Sequence, residues 1–483
     1  MKLFNTNMLI TDVPLILRTD SYKLGHYEQL VEGLEFSYVY LESRYGMTKT
    51  MFFGLQYILK RYFSERITME MIDICEDFAL RHGAKFNRKG WELIVTKHDG
   101  KLPLEFRALP EGTVTAQKTP LMVITNTDKE FAWLPMYFEA LIQRIWYSIT
   151  VATKSLEQKV IIGKFANESI DDDLIAGYMD FALNDFGARG VNCGEGASVG
   201  GMSHQVTSKG SDTLEGTWTA EQAYGTKEGM SAYSVFAIEH NVVLSWGEAR
   251  EKELFSFLLK TYVANGDKVS VLPDTYDTDR ALGYWEELKD EVIAAFKEGK
   301  GKGCLIIRPD SGHAVNEPVR IVERLMEIFG YEINRKGYKV LPDYIRVIQG
   351  DGTDVQVITD IQDLMRSKKL SALNLVFGQG GKLLQAHGRD DGGFAMKASM
   401  MTINGVPTKT SKRPKADPNK HSKEGYFCVE FNEFGDIVWR QVDNRINSGL
   451  LEPVWNTGEL LRNQTFDEVR EVAYGFYEKL LAA

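Results

Sequence analysis

Cysteine is scarce in this chain. Four occur in 483 residues, at 75, 193, 304 and 428, and none forms a Cys-x-x-Cys pair. This excludes a zinc ribbon and a dithiol redox motif, and a few scattered thiols fit a reducing cytoplasm. Long apolar runs are missing too, and none reaches the roughly 18 residues that cross a bilayer. The stretch Met8–Leu17 is interrupted by Asp12 and has no small-residue cleavage site, so no secretory signal and no membrane association are expected. Nor is there an excess of positive charge. Lys and Arg number 57 against 67 Asp and Glu, a net −10. That balance argues against general nucleic-acid binding, which needs a broad basic face, but leaves room for a local basic pocket.

What is present is ordinary for a globular enzyme: 43% hydrophobic and 26% charged residues, in a chain long enough for two or three domains. One phrase recurs between residues 230 and 385. A short apolar run ends abruptly in polar, charged or glycine residues at Ser234–His240, Val269–Asp274, Cys304–Gly312, Ile345–Gly352 and Leu373–Gly381. The starts lie roughly 28 to 41 residues apart, the length of one strand-plus-helix unit. Such runs predict buried parallel strands. Functional groups at their carboxyl ends are how a (β/α) barrel builds a site.

The remaining pattern frames this barrel. Helical spacing is predicted over 50–64 and from Asn126 to about 168. Strands are predicted at 104–109, 114–116, 121–125, 394–399 and 426–431, with Met179–Asp185 as the first barrel strand. The closing helix opens with the capping-box pattern Thr465-x-x-Glu468 and sets Phe466, Val469, Val472, Phe476 and Leu480 on one face. The fold class expected is α/β: an irregular (β/α) barrel core at 150–385, with a second α+β domain built from the N-terminal segment 1–149 and the C-terminal segment 386–483.

Several residues have both a structural and a chemical reading. The loop 408–423 carries six Lys or Arg against one Asp; it is either a solvated surface loop or a phosphate-binding loop. Gly378-Gln379-Gly380-Gly381 is a plain turn or a backbone cradle for an anion. It is not a dinucleotide fingerprint, because Leu383 stands where the third glycine belongs. Gly350-Asp351-Gly352 repeats the theme one strand earlier. Asp310 and Asp274 are turn residues or acceptors for sugar hydroxyls. His240 is a satisfied structural histidine or a functional one, in which case Asp274 at the next strand end is the carboxylate expected to orient it. Phe186, beside Gly187 and Arg189, packs in the core or stacks on a flat ring.

Eight segments in order, among them Thr19–Lys23, Phe53–Leu59, Asp185–Gly190, Tyr224–Lys227, Glu239-His240, Ile306–Gly312, Arg346–Gly352 and Ala416–Lys420, together closely resemble the nicotinamide phosphoribosyltransferases of the type II phosphoribosyltransferase family. The resemblance runs from about residue 15 to the final helix. It implies transfer of phosphoribosyl from phosphoribosyl pyrophosphate to nicotinamide, giving nicotinamide mononucleotide and pyrophosphate, with Mg²⁺ held mainly by pyrophosphate and with ATP hydrolysis coupled to turnover. By the same resemblance Phe186 stacks on the pyridine ring, and Tyr22 from the second subunit of a homodimer covers its other face. Arg189 lies beside the ring, Asp212 accepts from the carboxamide, and Ser234, Val235 and Ser270 line the pocket. Asp310 holds the ribose hydroxyls, with Arg308 close by. Gly350, Asp351, Gly380 and Gly381 cradle the ribose and 5′-phosphate. Arg44, Arg389, Lys397 and Lys420 meet pyrophosphate or ATP phosphates. His240 is phosphorylated by ATP and Asp274 orients it.

Departures from the family pattern are Gln379 for serine, Lys382 for glycine, Ala188 for an aromatic, and a short connection after Arg44. The rival readings are a nicotinate phosphoribosyltransferase, which Asp212 disfavours because two carboxylates would meet, a non-catalytic nucleotide sensor, and a dehydrogenase, against which Leu383 stands.

Overall fold

The short apolar runs that end in glycine or a polar residue form parallel strands, as their spacing predicts. The structure is a computed structural model describing residues 12–482, so residues 8–11 of the N-terminal apolar stretch lie outside the described residues. Seven strands make one parallel sheet: β1 Leu183–Asp185, β2 Gly210–Ser211, β3 Phe236–Ala237, β4 Lys268–Val271, β5 Cys304–Ile307, β6 Ile345–Gln349 and β7 Leu375–Gln379. Their order is β2-β1-β7-β6-β5-β4-β3. A parallel bridge between Gly210 and Tyr233 joins the two ends, with the Ser211 N–H donating to Tyr233 O and the Tyr233 N–H to Lys209 O. The ring is an irregular (β/α) barrel, closed at β2 and β3 by little more than that bridge.

The four longer strands, β4 to β7, are mostly buried along their length because both faces are covered, whereas β3 is exposed. Cys304, Ile306 and Ile348 form a buried cluster against which Phe186 and Val376 pack. Outside, the helix Asn316–Phe329 buries pairs at helical spacing, Ile321/Val322, Leu325/Met326 and Ile328/Phe329. Each such side chain contributes roughly 1.5–3 kcal/mol on burial. The helix Val355–Ser367 starts at Asp354, whose side chain accepts from the Val357 N–H.

The chain divides into two compact units. One holds the residues up to Thr150 together with Gly388–Thr465; the other holds Val151–His387 together with the residues from Phe466 on. In the first unit, a seven-stranded antiparallel sheet draws on both ends of the chain. Leu34–Glu42 pairs on one side with Met122–Asn126 and on the other with Ala395–Ile403. Buried ion pairs Lys23–Glu139 and Lys423–Glu42 are satisfied within this unit. Among the described residues no helix is long and apolar enough to cross a membrane.

Four expectations are corrected. The run Met179–Asp185 is a strand only from Leu183, because residues Asp172–Phe181 continue a helix with Asp172 and Asp173 in its first turn, where acidic side chains favour the helix dipole. Residues 50–64 begin as the strand Lys49–Met51 and end in the helical turns Leu55–Ile58 and Leu59–Phe63. The stretch from Asn126 is four helical pieces, of which only Ile145–Ser169 is long. The closing helix, Phe466–Ala482, belongs with the barrel and not with the flanking segments. Its buried stripe is Phe466, Val469, Arg470, Ala473 and Tyr477. Arg470 makes the difference, donating to the carbonyls of Gln205, Ser208 and Ser231.

Candidate active site

Because all seven strands run the same way, the residues that follow them gather at one end of the barrel. Phe186 follows β1, Asp212 follows β2, and His240 follows β3. Asp274 follows β4, Arg308 and Asp310 follow β5, Gly350 and Asp351 follow β6, and Gly380 and Gly381 follow β7. Hydrogen bonds and contacts link many of them directly.

Phe186 is fixed by its own backbone, whose N–H donates to Gln379 O at 2.9 Å, and by the glycines beneath its ring. A Cβ at Gly378 would stand 2.0 Å from Phe186 Cε2, and one at Gly350 3.2 Å from the same atom. Glycine is needed at 378 to leave room for the ring. The ring is half-buried, with one part on the apolar cluster of Cys304, Ile306 and Ile348. The preceding Asp185 is buried and accepts from the Gly187 N–H at 2.8 Å and the Ser211 hydroxyl at 3.3 Å, which locks this turn.

Asp212 is bound to the same turn through its N–H, which donates to Asp185 O at 2.9 Å. Ser234 donates its hydroxyl to Asp212 Oδ1. The Asp212 side chain is reached by solvent, yet protein atoms crowd around it. That lost hydration pushes its carboxyl above the usual range, and nearby Asp185 adds to the rise, while the Ser234 bond and the charge of Arg308 oppose it. Arg308 Nη2 donates to Ile238 O at 2.6 Å, and its Nε is buried without a partner. Ser270, in β4, is buried and its hydroxyl is likewise unpartnered. Val235 and Arg189 are exposed.

His240 has two neighbours. Its Nδ1 lies 3.0 Å from Thr275 Oγ1, and its Nε2 lies 3.4 Å from Asp310 Oδ2. The expectation that Asp274 orients the ring is therefore corrected: the next residue, Thr275, takes that place. Asp274 keeps a buried Oδ1 without a partner. The parallel register pairs Val271 with Ile307, so Asp274 and Asp310 follow their strands at equal distances. Two neighbouring strand ends thus present carboxylates at one level. Among the described residues no group of three or more His, Cys, Asp or Glu gathers into a metal site of its own.

The five remaining candidates belong to the other unit. Tyr22 is 62% exposed, its ring beside His26. Arg44 donates from Nε to Gly393 O at 3.1 Å, and Arg389 pairs with Asp390. Lys397 is largely buried, which lowers its pKa, and donates to Met396 O. Lys420 pairs with Asp417 at 3.2 Å. The basic loop is thus partly self-neutralised, since Arg413 and Lys423 also hold Glu424 and Glu42.

Sequence reasoning missed Thr275 and the buried Gln349. For Thr275 the signal was there, a hydroxyl following Pro-Asp at a strand end. For Gln349 the only signal was a polar residue inside an apolar run.

The barrel's strand ends thus bring together an aromatic ring, carboxylates and glycine-rich loops. In line with this, the profile of the nicotinate phosphoribosyltransferase (NAPRTase) family matches residues 181–459, and that of the nicotinamide phosphoribosyltransferase N-terminal domain matches residues 14–106. The chain belongs to this phosphoribosyltransferase family. Among curated relatives it is 38% identical to the nicotinamide phosphoribosyltransferase of Xanthomonas campestris, over 94% of this chain and 97% of the other. It is 30% identical to the nicotinamide phosphoribosyltransferase of Acinetobacter baylyi, over 94% and 95%. Of solved structures, nicotinate-nucleotide pyrophosphorylase from Pyrococcus furiosus shares the fold with a TM-score of 0.59 at 16% identity, covering 99% of each chain. Human nicotinic acid phosphoribosyltransferase does so at 0.54 and 14%, covering 94% and 93%.

Proposed function

We propose that this enzyme transfers the phosphoribosyl group of phosphoribosyl pyrophosphate to nicotinamide. The observation that carries the reading is Asp212: a carboxylate anchored by Ser234, tied through the Asp185 carbonyl to the turn that presents the Phe186 ring. With Oδ1 held by Ser234, Oδ2 is the oxygen left to accept a carboxamide N–H. A nicotinate carboxylate would instead meet like charge.

In the reaction the bond between ribose C1 and the pyrophosphate oxygen breaks, pyrophosphate leaves with the electron pair, and the pyridine nitrogen forms the new bond to C1. The ring becomes a pyridinium and no proton is transferred. The protein's task is alignment and charge stabilisation. Phe186 fixes the ring plane, and Asp212 fixes its rotation. Asp310 is proposed to hold the ribose hydroxyls, with Arg308 two residues before it on the same strand end. The glycine loops after β6 and β7 offer backbone N–H groups to the 5′-phosphate.

Mg²⁺ commonly binds through one or two carboxylates plus substrate phosphates. Asp274, with its unpartnered oxygen, and Asp310 fit that pattern, pyrophosphate supplying the other ligands; bound there, the ion would neutralise the leaving group. We further propose that His240 accepts the γ-phosphoryl group of ATP, releasing ADP, and that this couples ATP hydrolysis to turnover. Arg44, Arg389, Lys397 and Lys420 are proposed as phosphate contacts. The enzyme is proposed to act as a homodimer in which the partner subunit's Tyr22 covers the free face of the ring. Purified protein given nicotinamide, phosphoribosyl pyrophosphate and Mg²⁺ should form nicotinamide mononucleotide; tight binding of both substrates with no product would leave a sensor.

A further inference from the structure

Resting on that reading, we infer that Gln349, Gln379 and Lys382 are positioning residues that hold the loop Gly350–Asp354 open as a backbone cradle for the ribose 5′-phosphate.

Three successive carbonyls of this loop are taken up by side chains. Gln349 Nε2 donates to Asp351 O at 2.7 Å, Lys382 Nζ to Gly352 O at 3.2 Å, and Gln379 Nε2 to Thr353 O at 3.1 Å. In a trans peptide the C=O and the next N–H point opposite ways. Fixing those carbonyls therefore turns the N–H groups of Gly352, Thr353 and Asp354 away from the three side chains. Among the described residues none of these N–H groups has a protein acceptor. Gly352 has φ +64, the left-handed conformation that lets consecutive N–H groups converge into an anion-binding nest.

The braces come from two strands. Gln349 and Gln379 end β6 and β7 and are only 3% and 2% exposed; each amide holds the loop through its Nε2, while its buried Oε1 has no partner. Lys382 adds an ion pair to Asp354 Oδ2 at 2.6 Å, which helps hold that carboxyl below its usual range. Lys382 thus staples the loop after β7 to the loop after β6. At two of the positions where the chain departs from the family pattern, Gln379 and Lys382, the new side chains brace the same loop.

A staple and a direct phosphate contact predict opposite effects for one substitution. Asp354→Asn keeps the helix cap, because asparagine caps as well as aspartate, but removes the ion pair. If Lys382 simply attracted phosphate, removing a negative charge beside it would strengthen binding. If Lys382 works by stapling, binding weakens. The experiment is calorimetric titration of the full chain with ribose 5-phosphate, paired with the KM for phosphoribosyl pyrophosphate. For Asp354→Asn and Lys382→Met we expect affinity to fall about fivefold, the scale of one half-exposed ion pair. Gln379→Ser should fall further, since its bond is buried. kcat and the KM for nicotinamide should stay within about twofold, and Lys382→Arg should restore binding. Tighter or unchanged binding in Asp354→Asn overturns the inference, as does wild-type protein that does not bind ribose 5-phosphate. Calorimetry needs no turnover, so a wrong nicotinamide assignment appears separately, as missing product with phosphate binding intact.

Discussion

His240 Nδ1 stands 3.0 Å from the hydroxyl of Thr275, while its Nε2 faces Asp310 at 3.4 Å. The ring is thus held between a neutral group on one strand end and a carboxylate on the next. With Nε2–H donating toward Asp310, Nδ1 accepts from the Thr275 hydroxyl and keeps its lone pair there; with Nδ1–H donating to Thr275, the lone pair is on Nε2.

That arrangement predicts an acid-labile phosphate on the protein after incubation with ATP, absent from His240→Ala. Thr275→Val should slow the labelling about tenfold, by freeing the ring, and leave nicotinamide affinity within about twofold. Radiolabel incorporation with and without acid treatment checks both. Label that persists in His240→Ala places the phosphate elsewhere.

The Phe186 platform depends on the glycine under it. Gly378→Ala would drive a methyl into the ring, 2.0 Å from Cε2. The ring cannot sink, because Cys304, Ile306 and Ile348 already fill the space behind it. The KM for nicotinamide should rise at least about tenfold, with a cost of about 1–3 kcal/mol in stability. Steady-state kinetics and thermal denaturation read the two effects.

Asp212 gives a pH signature. Its pKa is raised, chiefly by lost hydration, so on acidification it takes up a proton earlier than a free aspartate would. The neutral acid no longer repels nicotinate and accepts an amide N–H less well. The preference for nicotinamide over nicotinate should therefore shrink as pH falls from neutrality, beginning above the usual carboxylate range. In Asp212→Asn the preference should be small and flat with pH. Competing-substrate rates across pH test this.

Lys159 is buried, its ammonium on Thr207 O and the Tyr474 hydroxyl, and burial lowers its pKa to about 8. Below pH 8 the lysine is charged in both folded and unfolded chains, and the fold bears the full cost of burying that charge. Between about 8 and 10.5 the folded protein sheds the proton first and the cost disappears. The stability of wild type relative to Lys159→Met should thus rise over that window, by on the order of 3 kcal/mol. Denaturant titrations at pH 7.5 and 10 measure it, and a constant difference would contradict the assignment.

The barrel was legible because buried parallel strands need apolar runs and its strand ends need polar or glycine residues. Four of the five runs singled out contain a strand of four or five residues. The first strand was overextended because a contiguous apolar run reads alike as a buried strand or a helix end. The stripe of the final helix was misplaced because its pattern counts only apolar side chains, whereas Arg470 is buried for the carbonyls it satisfies. Strand-end spacing identifies the loop that holds the partner of His240 but not which of its side chains turns inward, and that side chain is Thr275 rather than Asp274.

The most direct measurement is turnover of phosphoribosyl pyrophosphate with nicotinamide and with nicotinate, in wild type and in Asp212→Ala. The account predicts that wild type forms nicotinamide mononucleotide far faster than the nicotinate product, and that the gap narrows at least about tenfold in the variant. Equal rates with both acceptors in wild type, or a preference untouched by Asp212→Ala, would contradict it.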